Sequence, residues 1–290
     1  MSDYVIVTDS TTDISVKMAE ELELTIVSLS FIMDGKTYAG YLDNREMPIK
    51  EFYDRTRKGA VTTTAQVNTE DFLSAFEPIL ESGKDILYIA FSSGLSGTCQ
   101  SGMLAKKQLS EKYPERRIEV FDSLCASMGE GLLVFYAANM RIAGSSMSEV
   151  LKWLENNVLK LAHWFTVDDL NHLKRGGRVS TATAVLGTML GIKPVLHVDN
   201  EGHLVPAAKV RGRKQSLDAL VKKMEETGID CKNQTIFLSH GDALEDAEYV
   251  AAEIKKKFDV KKIEINFIGP IIGAHAGPGT IALFFIAAER

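Results

Sequence analysis

Strand and helix patterns alternate through the first half of this chain, and that alternation is the strongest constraint on its fold. Apolar, β-branched runs stand at Tyr4–Thr8, Asp85–Phe91 and Arg117–Asp122. Around them, apolar residues recur with helical spacing over about Ser15–Glu23, Pro48–Lys58, Thr69–Ser82, Thr98–Glu111, Ala126–Ile142 and Ser146–Lys160. Leu24–Phe31 and Lys36–Tyr41, separated by Met33-Asp34-Gly35, predict a hairpin with Asp-Gly at its turn. Strands joined through helices start again from the same end of a sheet and therefore run parallel. Residues 1–160 are thus expected to form an α/β domain with a doubly wound, mostly parallel sheet.

After Leu161 the pattern changes. Six short strands are expected at His163–Val167, Pro194–Val198, Gly202–Val210, Thr235–Gly241, Lys262–Ile268 and Thr280–Ala287. Helices fall at about Asp168–Lys174, Val179–Leu190, Lys214–Glu226 and Ala243–Phe258. The turn Asp199-Asn200-Glu201-Gly202 joins two strands directly, which requires antiparallel pairing. Residues 161–290 are therefore expected to form an α+β domain around a mainly antiparallel six-stranded sheet.

Composition excludes several classes of function. Thirty-three Lys and Arg against 39 Asp and Glu give a net charge of −6, which argues against nucleic acid as a partner. The longest apolar runs, Ile281–Ala288 and Leu132–Ala138, fall far short of the ~20 residues that span a bilayer, so no stable membrane insertion is expected. The N-terminal residues lack a basic segment followed by a long apolar run, and three scattered cysteines make no disulfide framework. The expected location is cytoplasmic.

Three hydroxyl-rich loops follow apolar strands in the first half: Asp9–Asp13, Ser92–Thr98 and Asp122-Ser123. In an open parallel sheet such loops converge on a ligand crevice, although each could equally serve as a helix cap. Gly94-Leu95-Ser96-Gly97-Thr98 approaches a nucleophile elbow, with Thr98 where the second glycine belongs. A serine-dependent acyl hydrolase using Ser96 is the alternative function this leaves open. Asp9 could be a phosphotransfer nucleophile, but Thr11 stands where a second carboxylate would complete a metal site. No phosphate-binding G-x-x-x-x-G-K-[ST] and no H-E-x-x-H occur, and the histidines at 163, 172, 197, 203 and 240 have no metal-ligand spacing.

Two glycine-rich segments remain. Lys174-Arg175-Gly176-Gly177-Arg178 sets two guanidinium groups beside a turn, either to position an anion or to sit in solvent. Gly269–Thr280 is too apolar for a surface linker and carries His275, a ring able to donate to a carboxylate or to play a structural part. The basic cluster Lys209-Val210-Arg211-Gly212-Arg213-Lys214 is either a docking surface or a solvated strand end.

Taken in order, these segments resemble the DegV family of bacterial fatty-acid-binding proteins, the acid-binding subunits of fatty acid kinase. Val7–Asp13 is similar to the family's opening TDST-D motif, and Thr64-Ala65-Gln66-Val67-Asn68 to its T-S-Q-P-S segment. Phe91–Gln100 resembles its SSGLSGTYQ loop, with Cys99 for the usual tyrosine. Leu173–Arg178, Lys209–Lys214 and Gly273–Gly279 complete the series. Ala65 and Val67 depart from the family's serine and proline, removing a hydroxyl and some rigidity beside Thr64.

The resemblance implies a long-chain fatty acid held between the two domains, and no catalysis by this chain alone. A separate ATP-dependent fatty acid kinase would convert the carboxylate to an acyl-phosphate for phospholipid synthesis. It implies that Thr64 and Ser96 hydrogen-bond the carboxylate, with Ser93 and His275 nearby and Arg175 assisting. Arg211, or its neighbour Arg213, would lie on the kinase-docking surface. No cofactor is implied beyond the bound acid. Such a carrier is physically reasonable, because burying about fifteen methylenes is worth on the order of 12 kcal/mol.

Overall fold

The structure, a computed structural model, describes residues 3–180 and 191–290. Its strands are β1 (Tyr4–Asp9), β2 (Thr25–Val27), β3 (Ser30–Met33), β4 (Lys36–Ala39), β5 (Thr62–Ala65), β6 (Asp85–Ala90), β7 (Ile118–Asp122), β8 (Leu161–Thr166), β9 (Ile192–Val198), β10 (Leu204–Arg211), β11 (Thr235–His240), β12 (Lys262–Phe267) and β13 (Ile281–Ile286). Its helices are α1 (Val16–Glu21), α2 (Ile49–Arg57), α3 (Thr69–Glu81), α4 (Thr98–Lys112), α5 (Met128–Ile142), α6 (Met147–Asn157), α7 (Leu170–Arg175), α8 (Arg213–Thr227), α9 (Leu244–Lys257) and α10 (Pro270–Ala276). The helix expected over Val179–Leu190 lies, from residue 181 on, outside the described residues.

The fold is α/β. A parallel sheet of order β2-β1-β6-β7 occupies the first half, and a six-stranded sheet of order β10-β9-β8-β13-β11-β12 the second. Every neighbouring pair in the larger sheet is antiparallel except β11 with β12. One expectation needs correcting: Leu24–Phe31 is not a single strand. Its first part joins the parallel sheet as β2, while β3 and β4 form the hairpin beside β5. Asp34 and Gly35 both take positive φ at that turn, the conformation the Asp-Gly pair supplies at least cost.

Alternation along β13 shows how the layers are made. Ile281, Leu283 and Phe285 pack outward against α8 and α9, while Ala282 and Phe284 point inward. Strand β8 does the same, with Ala162 and Trp164 outward and Phe165 inward. The inward residues share one apolar cluster with α5 and with Ile6, Leu87 and Ile89 of the parallel sheet. Helix α5 is therefore buried between the sheets, which explains its small-residue face of Ala137 and Ala138. Helices α3 and α4 cover the other face of the parallel sheet. Its central strand β6 is buried along its whole length, as a strand covered on both faces must be. Among the described residues, no helix is long and apolar enough to cross a membrane.

Candidate carboxylate and acyl-chain site

A cavity of about 180 Å³ lies where the segments after β6 and β7 face the inner surface of the six-stranded sheet. Apolar groups form most of its wall: Phe165, Ala282 and Phe284 from the larger sheet, Leu95 from the loop after β6, and Ile271 and Ile272 from α10. Polar atoms concentrate at Thr64, Gln66, Ser96, Arg178 and His275, with Ser127, His163 and Thr280 elsewhere on the wall. Of the apolar residues suggested by the sequence as equally suited to tail or core, Leu95 and Phe165 line the cavity. Phe31 and Met128 are core residues.

Thr64 and His275 meet. Thr64 Oγ1 lies 2.8 Å from His275 Nε2. Thr64 reaches the cavity because β5 pairs with β3, and its period-two alternation turns residue 64 inward and Ala65 out to solvent. His275 arrives on α10, whose other cavity residues are apolar. Burial pushes the imidazole down to about 4, with the Arg178 guanidinium adding to the effect, so the ring is neutral at pH 7. His275 Nδ1 is buried with no hydrogen-bond partner. An orphaned lone pair costs less than an orphaned N–H, so counting partners assigns the proton to Nε2. In that tautomer Nε2–H donates to Thr64, leaving the threonine hydroxyl free to donate onward to an anion.

Ser96 lines the same cavity. Its Oγ accepts from the backbone N–H of Thr98 at 3.2 Å and lies 2.8 Å from Thr98 Oγ1. These are local bonds of the turn that leads into α4, and neither partner is a histidine or a carboxylate that could serve as a base. The geometry therefore gives the hydrolase alternative no activated nucleophile at Ser96.

Other residues singled out by the sequence lie elsewhere. Ser93 is exposed, outside the cavity wall, and its N–H donates to Asp122 Oδ1 at 3.2 Å. Arg175 is also exposed, at the end of α7, with its Nη2 beside His172 Nδ1 at 3.1 Å. The arginine of that segment in the cavity is Arg178, because the chain turns through Gly176 and Gly177 after α7. Arg178 Nε and Nη2 donate to Leu95 O at 3.2 and 3.0 Å, and Nη1 donates to Gly176 O. Arg213 is committed internally: it bonds Asp246 Oδ2 at 2.9 and 2.7 Å and Gly279 O at 2.6 Å. Arg211 is exposed at the end of β10 and has no ion pair among the described residues.

Of the three hydroxyl-rich loops, only Ser92–Thr98 supplies cavity residues. Asp9 instead receives Thr11 N–H at 3.1 Å, Thr11 Oγ1 at 2.5 Å, Tyr88 OH at 2.8 Å and Phe91 N–H at 3.2 Å. It fixes the start of the serine-rich loop from below. Glu130 joins this network through Thr8 and Thr11, and burial raises both carboxyls. Asp122 Oδ1 similarly holds the N–H groups of Ser93 and Leu124. At the exposed β9–β10 turn, ligand atoms of Asp199, Glu201 and His203 come within 4.8 Å of one another. Asp199 Oδ1 there accepts the N–H groups of Glu201 and His203, which is turn geometry.

Sequence reasoning missed Arg178 and Gly176. A Cβ at Gly176 would overlap His275 Nδ1, so this glycine permits the imidazole to pack against the backbone. Both residues stood in the quoted Lys-Arg-Gly-Gly-Arg run, but the run alone does not say where the helix ends.

Comparisons with known proteins point to one family. A family model described as an uncharacterised protein of the DegV family matches residues 3–288. A DegV domain-containing protein of Clostridium perfringens is 44% identical over 286 residues, covering 99% of this chain and 98% of that protein. A DegV family protein from Thermus thermophilus, whose structure is described for its fatty acid binding, is 30% identical with a TM-score of 0.90, covering 99% of this chain and 100% of that one. DegV of Bacillus subtilis, described as a fatty acid binding protein, is 29% identical with a TM-score of 0.85 over 98% of this chain and 99% of that one. This chain belongs to the DegV family.

Proposed function

We propose that this chain binds one long-chain fatty acid between residues 1–160 and residues 161–290, treated as two domains, and presents its carboxylate to a separate ATP-dependent fatty acid kinase. The product would be an acyl-phosphate for phospholipid synthesis, and the chain itself would carry no catalytic group. The observation that supports this reading best is the uncharged Thr64–His275 pair opening onto a mostly apolar cavity. A desolvated carboxylate needs donors, and neutral hydroxyls and imidazole supply them without an ion pair that would hold its oxygens away from ATP. Thr64, Ser96 and His275 are the head-group residues of this reading, while Arg178, rather than Arg175, braces the loops around them through the carbonyls of Leu95 and Gly176. The fatty-acid-binding descriptions of the Thermus thermophilus and Bacillus subtilis relatives add support.

Arg211 is the docking residue of this reading, because its charge is free for a partner while Arg213 is held by Asp246. The test has two parts. Protein purified without added lipid is extracted and its lipid identified by mass spectrometry; about one fatty acid per chain is expected, and a consistently lipid-free chain that also fails to take up added acid overturns the reading. Acyl-phosphate formation with a cognate kinase is then compared for wild type, Thr64→Ala, Ser96→Ala and Arg211→Ala. Full activity in all three variants would overturn these residue assignments, and no acyl-phosphate with wild type would remove the kinase role while leaving acid binding intact.

A further inference from the structure

Helix α10 carries His275, yet at seven residues it is too short to hold its own direction. Its C-terminal end is closed by Thr280 Oγ1, which donates to Ala276 O and Gly277 O. At the other end, two side chains from distant parts of the chain grip consecutive backbone groups. Tyr53 of α2 donates its hydroxyl to Ile268 O at 2.8 Å. Asp13, after β1, accepts Gly269 N–H on Oδ1 at 2.8 Å. Both are almost fully buried.

Their packing leaves no slack. A Cβ at Gly269 would lie 2.9 Å from Asp13 Oδ1, and one at Gly273 would lie 2.8 Å from the Tyr53 hydroxyl. Asp13 is tied in turn to the rest of the cavity. Its Oδ2 accepts the hydroxyl of Ser127 on the cavity wall at 2.5 Å, and its carbonyl accepts from Asn266 Nδ2 at 2.8 Å. One loop residue thus fixes the seat of α10, the end of β12 and the start of α5 together.

We propose that Asp13 and Tyr53 are positioning residues of the carboxylate site: by clamping Ile268 and Gly269 they set the direction of α10 and so hold His275 against Thr64. The clamp touches neither tail nor head group. Its loss leaves the apolar wall in place but frees the imidazole from the threonine hydroxyl. The clamp therefore governs how well the site tells a carboxylate from a neutral head group, while affinity for the tail is set elsewhere.

This inference rests on the fatty-acid reading above, and the experiment separates the two. Dissociation constants for palmitic acid and methyl palmitate are measured with wild type, Tyr53→Phe and Asp13→Ala, each alone and combined with Thr64→Val. Wild type is expected to prefer the acid. Each clamp variant should lower the acid-to-ester preference about tenfold, the size of one lost hydrogen bond to a charged group, with ester affinity within about twofold of wild type. Combined with Thr64→Val, either variant should lower the preference no further, because the clamp acts through the Thr64–His275 contact. An unchanged preference in the variants, or an equal loss for acid and ester, overturns the clamp. Should Asp13→Ala not fold, Tyr53→Phe decides alone, since it removes a single oxygen. Wild type that binds neither ligand overturns the fatty-acid reading, and the clamp with it.

Discussion

Thr64 and His275 stand 211 positions apart in sequence and 2.8 Å apart in space. The contact places a neutral imidazole where solvent is largely excluded, and that burial has a measurable consequence for stability. His275 titrates at about 4 in the folded protein, below the ordinary 6.5, so between those values the unfolded chain binds more protons. Stability from this residue is complete above pH 6.5 and is lost as pH falls toward 4. Asp13, raised to about 7 by burial, works in the opposite direction: its cost appears as pH rises from 3.8 toward 7. The two slopes offset each other in wild type. Replacing His275 with glutamine removes only the first of these slopes. Between pH 7.5 and 4.5 the variant should gain roughly 2–3 kcal/mol relative to wild type. Urea denaturation at the two pH values measures this, and a constant difference between the proteins would mean that His275 titrates normally.

Gly176 and Gly177 are adjacent but should respond differently to alanine. A Cβ at Gly176 overlaps His275 Nδ1, whereas at Gly177 nothing lies within 4 Å and only its positive φ of 71° is strained. Gly177→Ala should cost about 1 kcal/mol of stability and leave acid binding unchanged. Gly176→Ala should displace the imidazole and weaken acid binding as much as His275→Ala does. Isothermal titration with palmitic acid distinguishes them; equal affinities for the two glycine variants would show that His275 tolerates the displacement.

The contrast between legible and illegible elements has a physical basis. All six strands of the larger sheet were readable because each is an apolar or alternating run that local pattern can report. Strand β5, Thr62–Ala65, was not: four residues of polar and small side chains become a strand only because β3 supplies the partner. Helix α10 was hidden for a similar reason, since a short glycine-rich segment reads as a loop until Asp13, Tyr53 and Thr280 hold it. The site shows the same division. Thr64, Ser96 and His275, named from the family resemblance, all line the cavity, whereas which arginine of the Lys-Arg-Gly-Gly-Arg run lines it depends on where α7 stops.

That choice of arginine is testable. Arg178 donates to the carbonyls of Leu95 and Gly176, joining the serine-rich loop to the turn behind His275. Removing it leaves partly buried carbonyls without partners, so Arg178→Ala should cost about 1–3 kcal/mol and reduce acid affinity. Arg175→Ala, at an exposed helix end, should stay within about 0.5 kcal/mol of wild type and bind normally. The urea midpoint and the palmitate dissociation constant are compared for both. The reverse order would return the head-group role to Arg175.

Ala65 provides the last test, because it stands where the family pattern has a serine. The strand register answers what the missing hydroxyl costs. Thr64 and Ala65 are neighbours in β5, so their side chains leave opposite faces: Thr64 turns to the cavity and Ala65 to solvent. A hydroxyl at position 65 would point away from His275 and could not donate to a head group held there. Val67, in place of the family's proline, is fully buried among the apolar residues beside α3, so the segment is anchored by packing where the ring would have stiffened it. Ala65→Ser should therefore leave palmitic acid affinity within about twofold of wild type and stability within about 0.5 kcal/mol. Val67→Pro should also keep the acid affinity, since the ring fixes only a backbone already held. A gain of tenfold or more for Ala65→Ser would mean that this face of β5 turns toward the ligand when the acid is bound.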